Sequence, residues 1–321
     1  MSKLVELFKT ENPVIGMIHL MPLMGYRDFT SLEEVMEKAL GDLKTLEKGG
    51  VDGVMIENNY DLPHKIFVDP ETVASMTYVI CKLRKMTKLP LGVCVLWNDY
   101  RAALAIAKSG GASFIRIPVF VDCVKTSYGT VEASYKEVQG AKNELGAEDI
   151  LLFTDIHVKH ATILNKERIE ISAKKAMQNG SDALIVTGKW TADAPLIEDL
   201  RKVRKKIGNF PIIIGSGATE KNVHALFEYG NGIIVGTSLK TGKKQVKNVN
   251  IGIQILVTPA SFPWQSHAIS ATQPKVKYFV LVHHMKSRQY QLLKIRGKES
   301  KNHTGKGLSN RSGIHFFYFV F

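Results

Sequence analysis

The segment Pro211-Ile212-Ile213-Ile214-Gly215-Ser216-Gly217-Ala218-Thr219 runs through Glu220 to Tyr229 into Gly232-Ile233-Ile234-Val235-Gly236-Thr237, and it contains one complete structural repeat. A short, uninterrupted apolar run rich in isoleucine and valine reads as a strand buried on both faces. Glycines end the run, a segment compatible with helix follows, and a second buried strand again ends in glycine. Two parallel strands joined by a helical crossover satisfy this order.

The same rhythm extends toward the N-terminus. Val14 to Ile18, Gly53 to Glu57, Leu91 to Leu96, Ser113 to Val119, Ile150 to Ile156 and Ala183 to Val186 read as strands. Between them Ser31 to Lys48, Pro70 to Lys88, Tyr100 to Ser109, Glu132 to Leu145, Lys166 to Asn179 and Pro195 to Ile207 read as helices. Ser31 and Glu34 form a capping-box pattern, and Asp69 precedes Pro70 as N-cap and first helical residue. Eight strands and seven connecting helices predict an α/β fold, the (β/α)8 or TIM barrel. A doubly wound sheet is the other option. Polar residues confined to the C-terminal ends of the strands favour the barrel.

Such a barrel needs about 250 residues, and the chain has 321. The barrel is therefore assigned to residues 1–250 and a separate tail to 251–321. Of the formal charge of +13, +9 sits in that tail, which holds ten Lys or Arg and one acid, Glu299. Residues 1–250 keep 33 bases against 29 acids, close to balance. An eighth helix should follow Lys240, but Thr241-Gly242-Lys243-Lys244-Gln245 and the apolar run to Val257 are poor helix chemistry. The final helix is expected to be replaced by this basic, disordered tail. Trp264, Tyr278 and Tyr290 among the bases would suit RNA; a solvated extension is the simpler reading, and nucleic acid is not the expected partner.

Cys81, Cys94 and Cys123 give no even disulfide framework and no C-x-x-C pair, which fits free thiols in a reducing compartment. The first residues carry Glu6 and Glu11 and resemble neither a secretory nor a transit segment. No stretch reads as a membrane span. The cytoplasm is the default location, with peripheral membrane or organellar association left open, as is self-association into a homo-oligomer.

In a (β/α)8 barrel the chemistry sits at the C-terminal strand ends. Those ends carry His19, then Glu57 and Asn58, Asp99, Arg116, Asp155 with His157, Lys159 and His160, and Thr187 with Lys189. Gly215, Ser216 and Gly217, and Gly236 and Thr237, are candidate phosphate ligands, because glycine-rich turns expose backbone N–H groups. A helix starting near Glu220 would add its positive N-terminus. Glu57 and Asp155 are candidate acid and base, each needing a cation such as Arg116 or Lys189 nearby. Lys189 could hold an anion or form a Schiff base. Glu57, Asp155 and His157 are the candidate ligands should a divalent metal be the cofactor, although no tight ligand spacing is present. Gly215-Ser216-Gly217 lacks the third glycine of a dinucleotide fingerprint.

Several motifs resemble the BtpA/SgcQ family: Ile18-His19-Leu20-Met21-Pro22-Leu23, Gly50 to Asn58, Pro70 to Met76, Asp155 to Ala161, Ala183 to Lys189, Gly215 to Thr219 and Val235-Gly236-Thr237. The resemblance spans about 240 residues and implies a barrel related to predicted enzymes. It implies family-recurrent polar positions at His19, Glu57, Asn58, Asp99, Arg116, Asp155, Lys159, His160, Thr187 and Lys189. It also implies a rival role, because the cyanobacterial member is linked to photosystem I biogenesis. The expectation is an enzyme acting on a small phosphorylated, sugar- or nucleotide-like metabolite. The alternatives are a non-catalytic biogenesis or stability factor for a membrane complex, and nucleic-acid contact by the tail.

Overall fold

The computed structural model describes residues 2–241 and 248–249. Eight parallel strands close into a barrel: β1 (Val14–His19), β2 (Gly53–Glu57), β3 (Leu91–Cys94), β4 (Phe114–Ile117), β5 (Leu151–Ile156), β6 (Ala183–Val186), β7 (Ile212–Ile214) and β8 (Gly232–Val235). Each strand pairs with its sequence neighbours, and β8 closes on β1 with Val14 opposite Ile233. Seven helices form the crossovers: α1 (Leu32–Lys48), α2 (Pro70–Met86), α3 (Tyr100–Gly110), α4 (Tyr135–Glu144), α5 (Ile169–Gln178), α6 (Ile197–Ile207) and α7 (Val223–Phe227). The fold is the (β/α)8 barrel expected from the strand count.

The continuous apolar strands divide by the two-residue alternation of β structure. Ile18, Val54, Ile56, Val93, Ile115 and Leu152 face the helices and form the larger core. Ile15, Met17, Met55, Phe114, Phe153 and Ile185 face the barrel axis. Two residues beyond the axial set, on the same parity, come His19, Glu57, Arg116, Asp155 and Thr187. Alternation therefore aims these side chains into the mouth.

Two elements go beyond the sequence expectation. A helix at Lys3–Phe8 buries Leu4 and Phe8 in the axial core. The Phe8 ring meets Phe114 edge-on, with centroids 5.6 Å apart, and Phe114 stacks on Phe153 at 4.7 Å. This plug closes the N-terminal end. The second element is a small antiparallel sheet over the mouth, built from Val124–Thr126, Gly129–Val131 and Thr162–Ile163. It rests on its own apolar cluster of Trp97, Val119, Val124, Val131 and Val158.

Ser31 caps α1 as expected, its hydroxyl accepting from Glu34 N at 3.2 Å. Asp69 occupies the cap position of α2 but makes no side-chain cap bond and pairs with Lys65 instead. The helix expected from Glu220 to Tyr229 is a correction: α7 begins only at Val223 and has 5 residues. Asn222 takes over the turn before it, accepting from Thr219 N and donating to Gly217 O. After β8 the chain makes a 3-10 turn, then Lys240–Thr241 pairs antiparallel with Asn248–Val249. The expected replacement of an eighth helix and the tail at 251–321 lie outside the described residues.

Candidate active site at the barrel mouth

A buried ion network crosses the barrel just above the phenylalanine layer. Arg116 donates from Nε and Nη2 to the two oxygens of Asp155, at 2.8 and 2.7 Å. This is the planar, bidentate geometry that compensates a guanidinium out of water. The Asp155 side chain is wholly buried. Arg116 also points Nη1 at Glu57 Oε2, 3.9 Å away, and His19 Nε2 stands 3.6 Å from Glu57 Oε1. Both contacts are longer than hydrogen bonds, so Glu57 keeps acceptor capacity facing the cavity.

The charge states follow from these surroundings. Burial would lift the Glu57 carboxyl, but His19, Arg116 and Lys159 beside it outweigh burial and hold it below the usual carboxylate range. Burial, reinforced by the charge of Lys240, lowers the His19 imidazole to about 3, against the pull of Glu57. At neutral pH the pair is thus a carboxylate beside a neutral imidazole. Burial pushes the Lys159 ammonium down from its ordinary value, and the charge of Arg116 adds to the push. Lys159 makes no ion pair among the described residues.

Above this network lies a cavity of about 270 Å³ lined by His19, Glu57, Arg116, Lys159 and the two glycine-rich turns at 215–219 and 236–238. The backbone N–H groups of Gly217, Ala218, Thr237 and Ser238 donate to no acceptor among the described residues. Gly217 has φ +67°, and a Cβ there would lie 2.1 Å from Ala194 N, so only glycine fits. Ser216 pins this turn to the β6 loop: its hydroxyl donates to Asp193 O at 2.7 Å and accepts from Gly188 N at 3.1 Å. Free amides on residues that line one cavity, beside an unpaired ammonium, are the makings of an anion seat. α7 is too short and its first turn too occupied to add a helix-terminus contribution.

All five predicted phosphate ligands, Gly215, Ser216, Gly217, Gly236 and Thr237, line this cavity, as do His19, Glu57, Arg116 and Lys159. The others are elsewhere. Asp155 is not among the residues that line this cavity and serves Arg116. Lys189 is exposed and lies outside both mouth cavities; Arg116, not Lys189, is the partner of the carboxylates. Asp99 caps α3, accepting from Ala102 N and Val68 N. Asn58 is buried and braces the β3 end by accepting from Leu96 N. Thr187 accepts from Lys159 N and so places that lysine. His160 bonds Thr191 at the rim. His157 has φ +49° and lines neither cavity. The candidate metal set of Glu57, Asp155 and His157 therefore does not converge. Among the described residues no three His, Cys, Asp or Glu side chains are placed to hold a metal ion.

Sequence reasoning passed over Asn59 and Thr191, which line the mouth from the β2 and β6 loops. It also ranked Lys159 below Lys189. The spacing of Asp155, His157 and Lys159 hinted at shared parity, but the strand ends at Ile156 and the left-handed turn at His157 breaks the alternation.

A model of the BtpA family matches residues 10–255. Photosystem I biogenesis protein BtpA of Synechocystis is 38% identical over 240 residues, covering 74% of this chain and 83% of the relative. An uncharacterized protein of Pyrococcus furiosus is 37% identical over 237 residues, covering 73% and 89% respectively. The putative sgc region protein SgcQ of Escherichia coli is 31% identical over 244 residues, covering 75% and 90%. The chain belongs to the BtpA family.

Proposed function

We propose that this BtpA-family barrel is an enzyme acting on a small phosphorylated metabolite. The observation that carries the reading is the convergence of four free backbone amides and the Lys159 ammonium on the cavity that also holds Glu57 and His19. The phosphate would sit against Gly217, Ala218, Thr237 and Ser238. Glu57, ionised and with the Cys94 thiol as its hydrogen-bonding neighbour, is the base that would take a proton from the substrate. Neutral His19 would polarise a substrate oxygen by donating a hydrogen bond. Arg116, fixed by Asp155, would keep Glu57 ionised and offset negative charge developing on the substrate.

Thermal stabilisation by inorganic phosphate and sugar phosphates tests the seat. Gly236 is the useful position, because a Cβ there meets only ordinary contacts at 3.4 Å from Met17. Gly236→Asp would place a carboxylate in the seat without a clash at Cβ and should abolish the shift. For a phosphorylated compound that is turned over, Glu57→Gln should remove turnover while binding survives; turnover surviving that change would overturn the assignment.

A second reading rests on the name of the Synechocystis relative, a biogenesis protein. On it the chain is a non-catalytic biogenesis or stability factor for a membrane complex. It predicts co-sedimentation with membranes, although no described helix is long and apolar enough to cross one. It also predicts that Glu57→Gln leaves the cellular role intact.

A further inference from the structure

The mouth has a second compartment. A cavity of about 320 Å³ shares Glu57, Asn59, Arg116, Lys159 and Thr191 with the phosphate cavity, so these five residues form a common wall. Beyond the wall the chemistry changes. The far side is lined by Leu96, Trp97, Pro118, Tyr128 and Val158, with His64, Ser127 and His160 adding polar groups.

This compartment is built rather than incidental. Trp97 belongs to the apolar cluster beneath the small sheet, and Tyr128 packs against the same cluster from the turn between Val124–Thr126 and Gly129–Val131. That turn is held by Thr126, whose hydroxyl accepts from Tyr128 N and donates to Gly129 O. The His64 and Tyr128 rings meet edge to face with centroids 5.3 Å apart. His64 Nδ1 is buried with no hydrogen-bond partner in the described structure. His64 thus offers a ring nitrogen on a residue that lines the cavity.

We propose that this second compartment binds a planar heteroaromatic ring, so that the ligand of the mouth is of the nucleoside monophosphate class. The inference rests on the phosphate reading above and extends it along the mouth. The order of chemistries matches such a ligand. Free amides and Lys159 suit the phosphate, Glu57, Asn59 and Thr191 on the shared wall suit sugar hydroxyls, and Trp97, Tyr128 and His64 suit the faces and edges of a base. Aromatic side chains stack on bases with little regard to base identity, so the class rather than one base is assigned.

Calorimetric titration of the full chain with adenosine 5′-monophosphate, uridine 5′-monophosphate, ribose 5-phosphate and inorganic phosphate tests the inference. Both nucleotides should bind at least about tenfold more tightly than ribose 5-phosphate. Tyr128→Leu keeps an apolar side chain on the cluster but removes the ring. It should bring the nucleotides to the ribose 5-phosphate level and leave ribose 5-phosphate unchanged, and Tyr128→Phe should retain the preference. Gly236→Asp should weaken every phosphorylated ligand. Equal affinity for nucleotides and ribose 5-phosphate, or an equal loss for both in Tyr128→Leu, would overturn the ring compartment while leaving the phosphate seat standing. If no phosphorylated compound binds the folded protein, the phosphate reading falls and the ring assignment with it.

Discussion

Two layers inside the barrel are built on the same strands and one step of alternation apart, yet obey different physics. The lower layer, Met55, Phe114, Phe153 and Ile185 around the Phe8 plug, is a dry apolar core. The upper layer buries three ionisable groups, Glu57, Arg116 and Asp155, in nearly the same low-dielectric space, with the half-buried Lys159 beside them. The lower layer is explained by transfer from water alone. The upper layer is not: replacing a buried ion pair by well-packed apolar residues is often neutral or stabilising. Polar groups held in place at that cost point to the cavity above them.

The sharpest way to separate the layers is to remove one member of each. Phe114→Ala should cost about 3–5 kcal/mol through lost burial and a cavity. Asp155→Ala should cost a similar amount, about 3–5 kcal/mol, because it strands the Arg116 charge. The layers then diverge on compensation. The double change Arg116→Met with Asp155→Leu should recover most of the Asp155→Ala loss in urea denaturation while abolishing ligand response. A double variant as unstable as Asp155→Ala would mean that the upper layer, like the lower, is a structural core.

How much of this could be read beforehand follows from the same contrast. Buried parallel strands announce themselves as isoleucine and valine runs, and alternation then assigns His19, Glu57, Arg116 and Asp155 to the axis. The glycine turns were legible because the seat needs amides and close approach, and few residues other than glycine permit both. Asp99 was not legible: an acid after a strand reads the same whether it faces a ligand or caps the next helix. Lys189 and Lys159 each follow a strand end, and only the loop geometry separates them. The Lys3–Phe8 plug is too short for a helical period to show.

Of the two layers pH acts only on the upper one; outside both, burial raises Asp61 to about 6, and its titration opposes that of His19 over the same range. His19 folds with its pKa lowered to about 3 from 6.5. The unfolded chain therefore binds the proton first as pH falls, and the stability linked to the neutral ring is complete above about 6.5 and drains away toward 3. Glu57, lowered in the folded state, acts in the same sense at the acid end of that window. Between pH 6.5 and 5 the His19 contribution should fall by about 2 kcal/mol. His19→Asn should flatten that slope, and a slope unchanged in His19→Asn would place the titration elsewhere.

The glycine turns give a smaller, cleaner contrast. Gly217→Ala forces a side chain into a left-handed conformation against the backbone of Ala194, and should cost about 1–3 kcal/mol. Gly236→Ala meets only ordinary contacts and should stay within about 0.5 kcal/mol of the parent. Equal melting temperatures for the two would show that the 215–219 turn relaxes, and that the seat is less rigid than its hydrogen bonds to Asp193 and Asn222 imply.

Lys159 brings the comparison to its smallest and most telling effect. Its ammonium is pushed toward neutrality by burial and by Arg116, and it makes no ion pair among the described residues. Lys159→Met keeps the stem that packs in the mouth and deletes the desolvated charge. Stability should therefore rise, by about 0.5–1 kcal/mol, where most substitutions in a barrel interior would lower it. The same change should remove the stabilisation by phosphate that Gly236→Asp removes for a different reason. A gain in melting temperature together with a loss of phosphate response is what a side chain kept for its ligand produces. A loss of both would make Lys159 part of the core instead.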